Sequence, residues 1–500
     1  MNKNISKKLE KRKKKISKRL KKQNWENQSV PMFKASNIHY EIDGRVQGIS
    51  NGGIGAVHLL AKKIGLLKEI DASLSLLKRH LPYHESDHVA NMAYNLLAGG
   101  TCIQDIELLR NDSAWLDALG ADVIPDPTTA GDFLRRFTES DIIALMEAKN
   151  TIRRKIWAKQ PAVFKEQADI CLDGTISETT GECKQGMDIS YNGKWGYAPL
   201  LISLVGTREP IYIVNRSGNA PSHLHSAHWL DKTLDLVSDT FKKVTVRGDT
   251  DFSLTGNFDK WDKRCTFLFG MDARKNLIEK ANQISELDWR QLSKKTHTPK
   301  TWGRKRPENV KDRVVKERNF KQLKTECEHI SECYYKPGKC DKAYRMIILR
   351  KTINVLKGQT FLYDEPRYFF YITNDTKKTA EQLIEFYRNR ADHENDIDQL
   401  KNGVGALKAP SDSLHSNWAY MVIASLAWDI KAWYGLLMPY RTLGKQIIRM
   451  EFKRFIHTFI RIPCIIVKTG RKIKYRFIGY NDQLKHIFNF FDFIKQFGFT

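Results

Sequence analysis

The residues best suited to chemistry lie on one predicted helix, Thr379 to Asn402, reading TAEQLIEFYRNRADHENDIDQLKN. Thr379 and Gln382 form a capping box at its start, and Gly403 is placed to end it. At about 100° per residue from Tyr387, Arg390 falls near −60°, Glu394 near −20° and Lys401 near −40°, so the four share a strip about 60° wide. Leu383, Phe386, Ala391, Ile397 and Leu400 lie on the same side, while Glu385, Arg388, Asn389, Asp392, Asn395, Asp396 and Gln399 take the other. Charge on a packing face is costly unless it is paired or binds something. Two readings follow: an internal i,i+4 ion pair between Arg390 and Glu394, or a site.

Two upstream acids favour a site. Asp173 ends the strand-like run ADICLDGT, in which Ile170 and Leu172 share one face and Asp169, Cys171 and Asp173 the other. Asp249 follows KVTVRG, where Val244 and Val246 alternate with Lys243, Thr245 and Arg247. A single acid at a strand end is ordinarily a turn former or helix cap. Carboxylates that converge repel one another unless a cation lies between them. Oxygen-only ligands suit Mg²⁺ or Mn²⁺, and two such ions can clamp the attacking and leaving oxygens of a phosphodiester.

At these residues the chain resembles the DDE-class insertion-sequence transposases, in particular the branch with the YREK signature: Tyr, two residues, Arg, three residues, Glu, six residues, Lys. Tyr387, Arg390, Glu394 and Lys401 fill every position. Asp173-Gly174-Thr175 matches the family's first acidic strand end and Asp249 its second, with Asp251 the competing choice. The resemblance covers roughly residues 45 to 440. It implies Asp173, Asp249 and Glu394 as catalytic ligands of two Mg²⁺ (or Mn²⁺) ions, and Tyr387, Arg390 and Lys401 as phosphate holders, with no organic cofactor. In that branch an aromatic from an insertion can stack on a flipped base. Trp302, flanked by Lys300, Arg304, Lys305 and Arg306, is the candidate and Trp289 the second; the other reading of Trp302 is a core residue.

Charge agrees with a polyanionic partner. The formal net charge is +26 at pH 7. The first 23 residues hold twelve Lys/Arg and one Glu; they read as a flexible basic arm on DNA, with a solvated tail as the alternative. They contain no apolar h-region, which argues against a secretory signal. The most apolar helix, Trp418 to Leu437, is interrupted by Asp429 and Lys431 and reads as core, so no membrane span is expected. Eight cysteines without framework spacing indicate a reducing compartment. Cys327, Cys333 and Cys340 with His329 could hold zinc but lack CxxC pairs, and His223, His225 and His228 read as loop histidines.

The expected fold is mixed α/β: an RNase H-like sheet flanked by helices, with a strand-rich insertion, a helical N-terminal domain and a helical C-terminal region. The expected divisions are the arm at 1–23, a helical and DNA-binding domain at 24–150, a catalytic core at 160–274 and 361–409, an insertion at 275–360, and a C-terminal region at 410–500. PDPTTAGDFLRRF (125–137) predicts a short helix carrying Arg135 and Arg136, which either contact the element's ends or pack. Strands are predicted at 168–173, 187–191, 197–205, 210–214, 243–248, 266–271, 344–349, 352–356 and 367–373, with the Asn192-Gly193 pair making a hairpin turn. The resulting expectation is a cytoplasmic DNA transposase, nucleoid-associated if bacterial. It would cut at terminal inverted repeats and join ends to target DNA, as a homodimer on paired ends. The alternatives are another RNase H-like nuclease or resolvase, and a non-catalytic transposase-derived DNA-binding protein.

Overall fold

The computed structural model describes every residue except 1–2, 22–31, 33–34, 42, 44–45, 293–308, 358–359, 471 and 499–500. Apolar strand runs build its centre. Strands β1 (Gln167–Gly174), β2 (Leu200–Leu204), β3 (Glu209–Val214), β4 (Lys243–Gly248) and β5 (Thr266–Met271) are buried almost throughout. Both faces of the sheet are covered, which is why β5 reads as a near-continuous apolar run and why β4, although Val244 and Val246 alternate with Thr245 and Arg247, is buried after its first residue. Strands β6 (Arg290–Gln291), β7 (Lys321–Tyr335), β8 (Tyr344–Lys357) and β9 (Thr360–Thr373) extend the same sheet. The order across its nine strands is β6-β7-β8-β9-β5-β4-β1-β2-β3. The antiparallel β1-β2-β3 meander is followed by β4 and β5, β4 parallel to β1 and β5 parallel to β4. That arrangement is the RNase H-like mixed sheet expected from the sequence.

Three local expectations need correction. The run 197–205 is divided: Trp195–Tyr197 pairs with Ser177–Glu178 and Asp188–Ile189 in a small separate sheet, and β2 begins only after Pro199, which has no N–H to offer a ladder. The strands predicted at 344–349 and 352–356 are one strand, β8. Arg350 and Lys351, where the sequence suggested a break, pair with His329 and Glu328 on one side and Tyr368 and Arg367 on the other. The basic start of the chain is a helix, Lys3–Leu20, rather than an unstructured arm. Its lysines, arginines and leucines are good helix formers, and it contains no Gly or Pro. Leu9 packs against the main core, and Arg12 donates to the carbonyls of Phe477 (2.7 Å) and Gly479 (3.0 Å).

Helix α1 (Glu139–Ala158) and helix α2 (Ser226–Ser238) pack against the β1-β2-β3 side. Helices α3 (Ala380–Arg388), α4 (Ala391–Asp398) and α5 (Leu414–Leu436) follow the sheet. The apolar helix expected near 418–437 is α5, almost wholly buried, and among the described residues no helix is long and apolar enough to cross a membrane. Its Asp429 pairs with Lys149 (2.9 Å) and Arg153 (3.0 Å) of α1, and Arg153 also pairs with Glu209 of β3 (3.0 Å). Trp157 and Trp433 donate indole N–H groups to the same Glu209 at 3.0 and 2.8 Å. One apolar core runs from the N-terminal helices through the sheet into the C-terminal helices. Gly48–Ile49 pairs with Cys464 and Ile465 of the basic hairpin Cys464–Phe477. The two ends of the chain are thereby built together.

Candidate active site

Strands β1 and β4 lie side by side in parallel, with Cys171 opposite Arg247. Carrying that register two residues further sets Asp173 level with Asp249. Asp173 is 7% exposed, and its Oδ1 accepts from the Gly174 N–H at 2.9 Å. Asp249 caps the short 3₁₀ turn Thr250–Phe252 by accepting from the Asp251 N–H at 3.0 Å. Asp251 is exposed and lines the same cleft as Asp173 and Asp249.

Glu394 arrives on α4, and a helix break decides how. The predicted 379–402 helix stops at Arg388, resumes at Ala391 and opens into a π-helical turn over Gln399–Val404. The Phe386 carbonyl, which a continued helix would give to the Arg390 N–H, instead accepts from Arg247 Nη1 at 2.8 Å. Arg247 Nη2 reaches the Asn389 carbonyl at 3.2 Å, and the Arg390 N–H turns to Tyr387 at 3.0 Å. The uninterrupted angular strip therefore does not hold. Glu394 is 61% exposed by its side chain rather than on a packing face, whereas Asp396, assigned to the outer side, is buried and pairs with Arg208 at 3.3 Å. The helical stop is Gly405, at φ +78°, not Gly403.

The break aims Arg390 between the three acids. Its guanidinium lies 4.0 Å from Asp173, 3.4 Å from Asp249 and 3.6 Å from Glu394. The i,i+4 pair is thus part of a wider cluster in which one guanidinium meets all three acids. Burial pushes the Asp173 carboxyl up to about 6; Arg390 opposes the rise, and the charges of Asp249 and Glu394 add to it. Burial also raises Asp249, against Arg390 and with the help of Asp251. Burial alone would lower Arg390, but Asp173, Tyr387 and Asp249 hold it above its ordinary value. Among the described residues no three His, Cys, Asp or Glu side chains are drawn together tightly enough to form a metal cage. The donor chemistry nevertheless fits hard divalent cations: carboxylate oxygens that repel one another around a point already holding positive charge.

Arg390 separates two openings. A cleft of about 750 Å³ contains Asp173, Asp249, Arg390 and Lys401. A second, of about 530 Å³, contains Asp249, Tyr387, Arg390 and Glu394. Tyr387 meets Tyr371 edge-on with ring centroids 4.6 Å apart, and Lys401 Nζ donates to the Ile176 carbonyl at 2.8 Å, just beyond the β1 acid.

Other candidates are distributed differently. Arg135 pairs with Asp132 (2.8 Å) and Asp412 (3.1 Å) on the surface, and Arg136 is exposed beside the Leu76 carbonyl. Trp302 lies outside the described residues. Trp289 is buried, with the Arg350 guanidinium 4.4 Å from its ring centre, a packing role. Cys327 and Cys333 lie six positions apart on β7, while Cys340 sits in the following turn and bonds the Thr255 carbonyl. All eight cysteines are free. His223 lines the larger cleft from a loop. Sequence reasoning missed Arg247, buried in β4, and His393, whose ring is buried beside Glu394 with neither nitrogen bonded and a pKa pushed down to about 3, by burial first. Arg247 shares the polar side of an alternating strand with Lys243 and Thr245, so nothing local in the sequence singled it out.

Comparison with known proteins gives the family. A search of curated proteins finds no match. Among solved structures, the cryo-EM structure of the piggyBac transposase synaptic complex with hairpin DNA aligns over 82% of this chain and 81% of that one, at 12% identity and a TM-score of 0.37. The family model described as transposase DDE domain group 1 matches residues 30–495. With nearly its whole length matched, the chain belongs to the DDE transposases, whose activity is DNA transposition and whose chemistry generally uses divalent metal ions.

Proposed function

We propose that this chain is a transposase of the YREK-signature branch, cutting DNA at the inverted repeats that bound its element and joining the freed ends to target DNA. The observation that carries the reading is the convergence of Asp173, Asp249 and Glu394, from two adjacent strand ends and one helix, on a single guanidinium. Those three carboxylates would hold two Mg²⁺ or Mn²⁺ ions, which when bound supply charge neutralisation at the scissile phosphate and activation of the attacking oxygen.

The protein's own part is positioning. Cleavage is attack by water on phosphorus with loss of the 3′ oxygen; joining is attack by the resulting 3′-OH on a target phosphate. Neither needs a covalent enzyme intermediate. Arg390 can exchange its carboxylate partners for phosphate oxygens in a planar, two-point contact, and Lys401 offers a point charge from the neighbouring wall. Tyr387, held by Tyr371, would fix the strand next to the cut. Arg247 maintains the helix break that turns Arg390 and Glu394 toward the strand ends. Arg135, Arg136 and the Lys3–Leu20 helix would take DNA outside the cleft. Trp302 would stack on a base near the cut. A pair of chains on paired ends suits the two-ended reaction, and a DNA substrate suits a cytoplasmic protein, nucleoid-associated if the source is bacterial.

The test is nicking of supercoiled plasmid by the purified chain with Mg²⁺ and with chelator. Nicking that requires Mg²⁺ and disappears in Glu394→Gln supports the reading. Equal nicking by both proteins removes Glu394 from the site.

A further inference from the structure

Arg216 follows β3 and lines the larger cleft together with Asp173 and Gly174. It is 5% exposed, and its buried charge lacks a counter-ion: among the described residues no carboxylate pairs with it. Every bond it makes is to a neutral carbonyl. Nε donates to Ala198 at 2.8 Å, and Nη1 is within reach of Pro221 (3.3 Å), Ser222 (2.8 Å) and Leu224 (2.9 Å). Nη2 has no partner at all. A buried cation that is neither paired nor fully bonded is costly to keep, so its retention points to an anion that binds there.

The surroundings indicate where. Gly174 carries no side chain, and a Cβ there would stand 3.8 Å from Arg216 Nη2 and 3.5 Å from Ser222 Cβ and Oγ. Nη2 is itself covered, so a ligand atom reaches it from the Gly174 side once the Ser222 segment gives way. The loop from Ser217 to Leu224 is joined to the small sheet by the Tyr197–Ser217 bridge and to the guanidinium by its own carbonyls. Gly218 packs so close to the carbonyls of Asp188 and Gly196 that no side chain fits there. The residue preceding Gly174 is Asp173, so the bound group would lie one step from the proposed cutting point.

We propose that Arg216 is a phosphate clamp of the cleft, its Nη2 taking a non-bridging oxygen of the DNA backbone phosphate that passes over Gly174, beside the phosphate that is cut. This rests on reading the cleft as the seat of strand cleavage. Arg216 holds the strand in place and takes no part in bond breaking, so it is a positioning residue.

A binding cycle tests it. End DNA from the sequence flanking the gene is made with one phosphate at a time replaced by neutral methylphosphonate near the cut, and affinity for the full-length chain is measured in chelator over a range of salt. One position should cost the wild-type protein about tenfold, the scale of a charge-assisted hydrogen bond. Arg216→Gln should lose about tenfold on unmodified DNA and nothing further at that position, while remaining as sensitive as wild type elsewhere. Its slope of log K against log salt should flatten by about 0.7–0.9, which a merely structural defect would not produce. Uniform sensitivity at all positions, or an unchanged slope, overturns the proposal. If Arg216→Gln fails to fold, Gly174→Ala decides the matter. Its added methyl makes only ordinary contacts and leaves the carbonyl bonds of Arg216 intact, yet it fills the space before Nη2. Full wild-type sensitivity at the selected phosphate in Gly174→Ala overturns the clamp; loss there alone supports it. Cleavage by Asp173→Asn in parallel would refute the assignment of the acids without altering this binding result.

Discussion

Replacing Asp173 by Asn should make the protein more stable while abolishing its cleavage. The Asp173 carboxyl is pushed up from 3.8 to about 6, a rise of about two pH units. At about 1.36 kcal/mol per unit, the fold disfavours the charged form by about 3 kcal/mol. The sign follows from proton counting. Between pH 3.8 and about 6 the folded chain binds more protons at this group than the unfolded chain. Wild-type stability therefore falls as pH rises through that window, and the full penalty is present above it. Asn resembles the neutral acid in shape and carries no charge at any pH. An unfolding entropy of about 2.1 cal/mol/K per residue, over a chain of this length, gives about 1 kcal/mol/K, so the melting temperature should rise by ~3 °C. Thermal unfolding in EDTA at pH 7.5 measures this, and at pH 4.5 the gain should shrink to about 1 °C. A lower melting temperature for Asp173→Asn at pH 7.5 would refute the reasoning: attraction to Arg390, 4.0 Å away, would then outweigh burial and the neighbouring acids.

Further outcomes follow from the same geometry. Asp249→Asn and Glu394→Gln should each abolish Mg²⁺-dependent cleavage with DNA binding nearly unchanged in a gel-shift assay, whereas Asp251→Asn should still cleave; the reverse pattern would make Asp251 the second acid. Deleting residues 1–23 should weaken binding to any duplex and flatten its salt dependence, by roughly ten in slope if every net charge met a phosphate and by part of that for one helix face; an unchanged slope would show the helix to be a bystander. Asp429→Ala should leave Lys149 a buried, unpaired cation and Arg153 with Glu209 as its one remaining carboxylate, and cost about 3–5 kcal/mol, read as a drop in melting temperature; an unaltered melting curve would mean that the cluster accommodates its own charge.

Strands β1 and β4 were legible because apolar residues alternate along them up to Gly174 and Gly248, and those glycines also mark the two acids. The Asn192-Gly193 turn was legible for the same local reason, Gly193 adopting φ +79°. Long-range features were not. Nothing local breaks a helix at Asn389-Arg390. The break is supported by Arg247, more than a hundred residues earlier, which supplies the Phe386 carbonyl with a donor. Angular reasoning on an ideal helix consequently brought Arg390 to the right neighbourhood but assigned Glu394 and Asp396 to the wrong sides. β8 was divided in two because Arg350 and Lys351 interrupt its apolar pattern. Partners make the strand continuous there: Arg350 pairs with Glu286 at 2.6 Å, and Lys351 lies 3.6 Å from Glu328. Arg216 was passed over because its neighbours are carbonyls of a loop whose path no periodicity reveals.

The most direct measurement places the gene, with its native flanking DNA, on a donor plasmid and maps strand breaks made by the purified protein in Mg²⁺. Wild-type protein should release 3′-OH ends at the borders of the flanking inverted repeats, and Asp249→Asn should release none while still binding those ends. Equal breakage by Asp249→Asn, or breaks scattered without regard to the borders, would contradict the assignment of Asp173, Asp249 and Glu394 as the acids that cut the element free.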